Sequence, residues 1–188
     1  MVGGASGANR LSGNAITEAL VFGRRAGHSA AERANRAARP NLRPHDTRAA
    51  LDLVRAEAPD RDGPNTAAMI ARLHAIMADD VGPLRNATKL TRALAGIAAL
   101  DAELGERPAG ARVGFDLRRL DWFDLRNMLP VARAVTEAAF KRTESRGAHQ
   151  REDFPATLPQ WQLHQRVDWR GGELQISGLH AASKALAS

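Results

Sequence analysis

Residues 3–14 combine several glycines with one arginine, a mixture that suits a loop for binding an anion. They read GGASGANRLSGN. The apolar residues that follow recur at helical spacing, which predicts a helix that begins near Asn14. The side chain of Asn14 can cap this helix. Glycine lets the backbone approach a ligand closely, and the first amides of a helix have no partners within it. The amides near Asn14, Ala15 and Ile16 should therefore stabilise an oxygen that gathers negative charge.

Arg10 stands four residues before that helix start. Its guanidinium can hold a carboxylate through two parallel hydrogen bonds, a geometry that lysine cannot supply. The loop has neither the Gly-Lys-Ser/Thr of a P-loop nor the GxGxxG spacing of a dinucleotide turn. The bare pattern leaves two interpretations open: an anion site, or a glycine-rich entry to a packed helix with Arg10 as a surface charge.

A second group of charged residues lies at 142–155, which reads RTESRGAHQREDFP. One interpretation is a solvated helix end, where arginines complement the helix dipole and Gly147 stops the helix. The other is a network of ion pairs and hydrogen bonds that locks this segment against another domain, the first helix included. The side chains assigned to that network are Glu144, Arg146, His149 and Arg151.

The elements that position these groups are mainly helices. Periodicity predicts a first helix from Asn14 past Ala31, a short helix at 46–57, and three helices at 65–78, 87–103 and about 121–140. Asp121 is the predicted N-cap of the last helix, and Pro130 is expected to kink it or remove one backbone bond. Its predicted inward stripe is Trp122, Leu125, Met128, Leu129, Ala132, Val135, Ala139 and Phe140.

Alternating residues at 161–177 predict a β-hairpin that turns at 170–173, with a loose tail after it. The fold class is therefore mainly α, with a glycine-rich loop and helix, a three-helix bundle and a C-terminal hairpin. The predicted domains are residues 1–45, 46–155 and 156–188.

Composition excludes several kinds of site. The chain has no cysteine, and its six histidines show no metal-ligand spacing, so we predict no metal site and no thiol chemistry. The net charge of +6 comes from basic residues spread beside acidic ones, and we predict no nucleic-acid partner. No signal peptide or run of about 18 apolar residues is present, which predicts a soluble, cytoplasmic chain without a membrane span.

Two segments resemble a known family. GGASGANRLSGNAITEALVFGRRAG resembles the flavin-contacting loop and helix near the end of the FAD-binding domain in the succinate dehydrogenase/fumarate reductase flavoproteins, which include L-aspartate oxidase and the soluble fumarate reductases. DLRNMLPVARAVTEAAFKRTESRGAHQREDFP resembles the signature of that family's C-terminal helical domain. The resemblance covers about residues 3–155.

The resemblance implies roles for individual residues. It implies that Arg10 holds a substrate carboxylate beside the flavin and that the amide of Gly13 also faces the substrate. It also implies that the helix start at Asn14, Ala15 and Ile16 meets the pyrimidine edge of the flavin. Two departures stand out: Ser6 occupies a position where many relatives have histidine, and Ala15-Ile16 replaces a common Ser-Leu pair.

The resemblance further implies the C-terminal part of an FAD-dependent oxidoreductase that transfers hydride between flavin and a dicarboxylate. No catalytic set is complete in these residues, so the chain alone should be inactive and should not bind FAD tightly. Its expected partners are a flavin-binding domain or subunit, the dicarboxylate and an iron–sulfur subunit, through which it could lie peripherally at the inner membrane. The alternative is a non-catalytic basic helical module that docks a protein or nucleic acid.

Overall fold

The computed structural model describes residues 12–38, 43–58, 63–110 and 115–180. The described helices are α1 (Ser12–Arg36), α2 (Pro44–Arg55), α3 (Thr66–Asp80), α4 (Ala87–Leu104), α5 (Leu117–Lys141) and a 3₁₀ turn (Pro159–Trp161). The strands are β1 (Leu84–Arg85), β2 (Gln150–Arg151), β3 (Leu163–Arg170) and β4 (Glu173–His180). The prediction of a mainly helical fold with a C-terminal hairpin is confirmed.

Helices α3, α4 and α5 pack together as the predicted three-helix bundle. They share a main apolar core because each helix buries one apolar stripe. The core residues are Met69, Leu73, Ile97, Leu100, Leu104, Trp122, Leu125, Leu129 and Ala132. The indole nitrogen of Trp122 donates to the carbonyl of Leu104 at 3.2 Å, so its one polar group is satisfied inside the core.

Asparagine and aspartate side chains begin the helices of the bundle. Asn65 accepts from the amide of Ala68 at 3.0 Å, and Asn86 caps α4 in the same way. Asp116 accepts from the amide of Arg118 at 3.0 Å and caps α5. The prediction of Asp121 as the N-cap is wrong, because α5 begins four residues earlier and Asp121 lies within its first two turns.

The buried stripe of α5 differs from the predicted one at two positions. Leu125, Ala132 and Ala139 are buried as predicted, but Val135 is 46% exposed and Phe140 is 40% exposed. Thr136 takes the inward position that was assigned to Val135, because it follows Ala132 by four residues and precedes Ala139 by three. Its buried hydroxyl donates to the carbonyl of Ala132 at 2.8 Å. The helix runs through Pro130 without ending.

The strands form two separate pairs. β1 and β2 are parallel, with Leu84 opposite Gln150 and Arg85 opposite Arg151. β3 and β4 form the predicted antiparallel hairpin, and the turn between them is Gly171-Gly172. Both glycines have positive φ (60° and 86°), which a tight two-residue hairpin turn requires.

The first two helices begin earlier than the sequence predicts. α2 starts at Pro44, where proline suits the first helical position because its missing N–H would have no partner there. α1 starts at Ser12, and its apolar residues Ile16 and Leu20 are 68% and 69% exposed. The predicted tail falls mostly on residues 181–188, outside the described residues. The three domain boundaries stay predictions.

Candidate functional site

The start of α1 is the first candidate site. Arg10 lies outside the described residues. Gly13 is exposed, and a Cβ atom added there would meet no atom of the described residues within 4 Å. Ile16, one turn further along, is exposed as well.

The early start of α1 moves the predicted free amides. In an α-helix that begins at Ser12, the amide of Ile16 pairs with the carbonyl of Ser12. The amides without helical partners are then those of the first turn, residues 12–14. The prediction that Asn14 caps the helix and that the amide of Ile16 is unpaired is therefore wrong. Contact of Asn14, Ala15 and Ile16 with a flavin stays a prediction.

The second candidate site is the set of charged side chains that follows α5. We call it the arginine–carboxylate network, and it consists of Arg142, Glu144, Arg146, His149, Arg151 and Asp153. Glu144 is one of its two centres and is fully buried. Its Oε1 accepts from Nη2 of Arg142 at 2.5 Å and from Nε of Arg146 at 2.9 Å. Its Oε2 accepts from the amide of Leu158 at 2.9 Å.

These hydrogen bonds keep Glu144 ionised. Burial alone would raise the pKa of the carboxyl, but the bonds from Arg146, the Leu158 amide and Arg142 outweigh it. The pKa of Glu144 falls to about 2 as a result. The same pairing raises the pKa of Arg146. Glu144 is therefore an anchor for two arginines and a backbone amide, and it is not placed to accept a proton at neutral pH.

Arg151 is the other centre of the network, and it is 2% exposed. Its Nε and Nη2 form a two-bond fork with Asp153, both at 2.8 Å. Its Nη1 donates to the carbonyls of Ala139 and Phe140 at 3.0 and 2.9 Å. Those carbonyls belong to the last turn of α5, where helical partners are missing and the dipole favours a cation. Arg151 therefore caps α5 from outside the helix.

Asp153 joins this cap to α4. Its Oδ2 accepts from the amide of Ala87, the first residue of α4, at 2.9 Å. The hydrogen bonds from Arg151 hold the pKa of Asp153 at about 2, although burial opposes them, and the Ala87 amide lowers it further. One carboxylate thus binds the start of α4 and, through Arg151, the end of α5.

His149 is half-buried inside the network. Its Nε2 lies 3.1 Å from the carbonyl of Arg142 and must donate to it, because a carbonyl only accepts. Burial lowers the pKa of His149, the bond to Arg142 partly offsets this, and Arg85 lowers the pKa further. The lowered pKa favours the neutral form of His149, and its bond to Arg142 makes it a hydrogen-bonded structural residue.

The network also fixes the entry to the hairpin. Arg142 donates to the carbonyl of Trp161 at 2.6 Å and to that of Leu163 at 3.3 Å. Arg146 donates to the carbonyl of Leu158 at 3.1 Å. The segment from the end of α5 to the first residue of β3 is thus tied to buried charges at several points.

The structure brings the predicted residues Glu144, Arg146, His149 and Arg151 together in this network. Their partners are the ends of α4 and α5 and residues 142–163, and among the described residues none of them bonds to α1. A lock against another domain therefore stays a prediction. The sequence analysis did not assign Arg142 and Asp153 to the network. Both stand in the same charged segment, and their close spacing from Glu144 and Arg151 is the feature of the sequence that could have identified them.

Neither a metal-binding cluster nor a membrane-spanning helix is found in the described part of the chain. No group of three or more histidine, aspartate or glutamate side chains within it is arranged to hold a metal ion. None of its helices has the length and apolar character that a membrane crossing needs.

Known proteins resemble this chain over most of its length. Residues 70–180 match the family model described as "Fumarate reductase flavoprotein C-term". The chain is 41% identical over 163 residues to a CoM/CoB fumarate reductase polypeptide of Methanothermobacter marburgensis, covering 85% of this chain and 29% of that protein. It is 40% identical over 157 residues to the L-aspartate oxidase of Rhodospirillum rubrum, covering 83% of this chain and 47% of that protein.

Solved structures agree with the sequence matches. The apo Mycobacterium smegmatis Sdh1 complex superposes with a TM-score of 0.74 at 33% identity, over 91% of this chain and 30% of that one. A mutant of FrdA from the E. coli quinol fumarate reductase superposes with a TM-score of 0.74 at 26% identity, over 95% of this chain and 32% of that one. The chain spans less than half the length of each of these four proteins.

Proposed function

The chain belongs to the fumarate reductase flavoprotein C-terminal family, and on that premise we propose that it is the C-terminal part of an FAD-dependent oxidoreductase. The reaction proposed is hydride transfer between flavin and a dicarboxylate. The observation that carries the proposal is the family match over residues 70–180, which contains most of the bundle and the whole arginine–carboxylate network. The matches to a fumarate reductase and to an L-aspartate oxidase support a dicarboxylate-type substrate.

The described residues offer a partial fit to FAD. The first turn of α1 carries amides without helical partners, and the exposed Gly13 leaves room for a planar group to approach. When bound, a flavin supplies the two-electron chemistry of hydride transfer. The role proposed for the start of α1 is to stabilise negative charge on the ring edge that faces it.

Arg10 and Gly13 are proposed to act on the substrate. The Arg10 guanidinium would hold one carboxylate in a two-bond fork and so fix the substrate in one orientation. The amide of Gly13 would donate a further hydrogen bond in the same region. Orientation of this kind is the part of the reaction that this chain is proposed to contribute.

The remaining length of the relatives has no counterpart in these 188 residues. We propose that a flavin-binding domain or subunit supplies the rest of the site. From the family resemblance we also propose an iron–sulfur subunit as a partner and, through it, a peripheral position at the inner membrane. The role proposed for the arginine–carboxylate network is to hold the bundle in one shape for that docking.

A chimera tests the proposal directly. In it, this chain replaces the matching segment of the M. marburgensis protein, and the purified product is examined for the absorbance of bound flavin. We expect a yellow protein with stoichiometric flavin, and a colourless product from the chain expressed alone. A folded, monodisperse chimera without flavin would contradict the proposal.

A further inference from the structure

Within the described part of the chain, no carboxylate pairs with the Arg85 side chain. Its Nε is buried and has no hydrogen-bond partner there. A buried donor without a partner costs free energy, so a native structure that keeps one calls for a ligand or a partner group. The arginines of the neighbouring network, by contrast, each bind a carboxylate.

The fold brings Arg85 to this position from a distant part of the sequence. In the parallel pair of β1 and β2, Arg85 stands opposite Arg151, and its carbonyl accepts from the amide of Glu152 at 2.8 Å. Both side chains therefore project on the same side of the ladder. Two guanidinium groups are held next to each other by backbone hydrogen bonds.

The carboxylates near Arg85 are already engaged. Asp153 binds Arg151, and Glu144 binds Arg142 and Arg146. Glu152 accepts from Lys89 at 3.2 Å and from Asn86 at 2.8 Å. Three guanidinium groups thus share two carboxylates, and Arg85 pairs with neither of them.

The electrostatics agree with this geometry. Burial lowers the pKa of Arg85, and the charge of Arg151 lowers it further. The pKa of the nearby His149 is lowered first by its burial and also by Arg85. The smaller part of each shift that comes from neighbouring arginines reflects a positive potential, which an added anion would relieve.

We infer that Arg85 is a docking point for a carboxylate side chain of the flavin-binding portion, an inference that rests on the proposed function. Charge complementarity argues for a carboxylate, and Arg85 offers it a fork geometry. The length of the relatives beyond this chain argues for the flavin-binding portion as its source. In the isolated chain the unpaired Arg85 then lowers the free energy of unfolding. In the assembled protein its ion pair stabilises the interface.

The experiment compares two variants of the paired positions, Arg85→Gln and Arg151→Gln, in the chain alone. We expect Arg85→Gln to leave the melting temperature unchanged or raise it, because it removes an unpaired charge beside Arg151. We expect Arg151→Gln to lower it, because it breaks the cap of α5. A loss in Arg85→Gln as large as that in Arg151→Gln would make Arg85 a structural residue and overturn the inference.

The same substitution is then made in the flavin-binding chimera. We expect Arg85→Gln to lower the temperature of flavin release by about 5 °C or more, and Arg85→Lys, which keeps the charge, to lower it less. A chimera that binds flavin but is unaffected by Arg85→Gln overturns this inference alone, whereas a chimera without flavin contradicts the proposed function itself. An effect of Arg85→Gln that appears only with added free dicarboxylate would assign the site to that anion and overturn the docking role.

Discussion

Glu144 shows at the scale of one residue how the charged segment works. It is fully buried, and its two oxygens together accept from two arginines and one amide. A buried carboxylate without these bonds would be strongly unfavourable, so each partner depends on the others. The charges at this point hold the folded structure together, whereas the same residue types on a surface would contribute little.

Glu144→Gln should therefore destabilise the chain severely. It leaves Arg142 and Arg146 without their shared anion, and losing one member of a buried pair costs about 3–5 kcal/mol. The free energy of unfolding, measured by urea denaturation, gives the value. Glu103→Gln is the matched control, because Glu103 pairs with Arg72 at 2.7 Å on the surface, where about 1 kcal/mol or less is expected. Equal losses in the two variants would show that the network does not stabilise the fold.

Acid should weaken the same network. The pKa of Glu144 is about 2 in the folded chain against its usual 4.5, and that of Asp153 is about 2 against 3.8. A lowered carboxyl pKa stabilises the fold above the unfolded value, and this contribution is lost as the pH falls toward the folded one. We expect the urea midpoint to fall steeply between about pH 4.5 and pH 2.

The variant Glu144→Gln serves as the test of that assignment, because it has no carboxyl to titrate at this position. Its urea midpoint should fall less steeply over the same pH range than that of the parent chain. Parallel slopes for the two proteins would assign the acid sensitivity to other groups.

Among the elements, helix α5 contributes many of the core residues. Substitutions at a buried and at an exposed apolar position of α5 should therefore have different effects. Leu125 is fully buried, so Leu125→Asp places a charge in the core and should unfold the bundle, as circular dichroism and thermal melting would report. Val135→Asp, on the same helix at a 46% exposed position, should melt close to the parent. Similar melting of both variants would contradict the burial of one face of α5.

Periodicity predicts the bundle well because three helices each bury one apolar stripe. It does not show which of two neighbouring residues is the buried one. Val135 is more apolar than Thr136, yet the turn of the helix points Thr136 inward, where its hydroxyl bonds the Ala132 carbonyl. Asp121 and Asp116 are equally good caps by residue type, and the structure shows that α5 begins directly after Asp116.

The charged segment was predictable in composition but not in geometry. RTESRGAHQREDFP indicates a network, whereas the two-residue strands β1 and β2 are too short to give any periodic signal. Arg85 and the start of α4 therefore enter the site only through the fold. The predicted role of Arg10 depends on the resemblance and lies outside the described residues.

At the scale of the whole molecule, the exposed surfaces fit the proposal that the chain is one part of a larger flavoprotein. α1 leaves Ile16 and Leu20 exposed, Arg85 lacks an anion among the described residues, and the chain spans 29% of the M. marburgensis relative. These exposed and unpaired groups lie on a helical domain that is held together by its apolar core and its buried charges. We therefore expect the chain to gain its activity by joining a flavin-binding portion.

Dicarboxylate turnover by the chimera, measured with Arg10 intact and with Arg10→Ala, tests this claim most directly. We expect the parent chimera to reoxidise reduced flavin with fumarate, and Arg10→Ala to lower turnover by about 100-fold or more because the substrate is no longer aligned. Arg10→Lys should keep flavin bound but also lose most of the turnover, since lysine keeps the charge without the fork. Turnover by Arg10→Ala equal to that of the parent would contradict the claim that this chain orients the substrate.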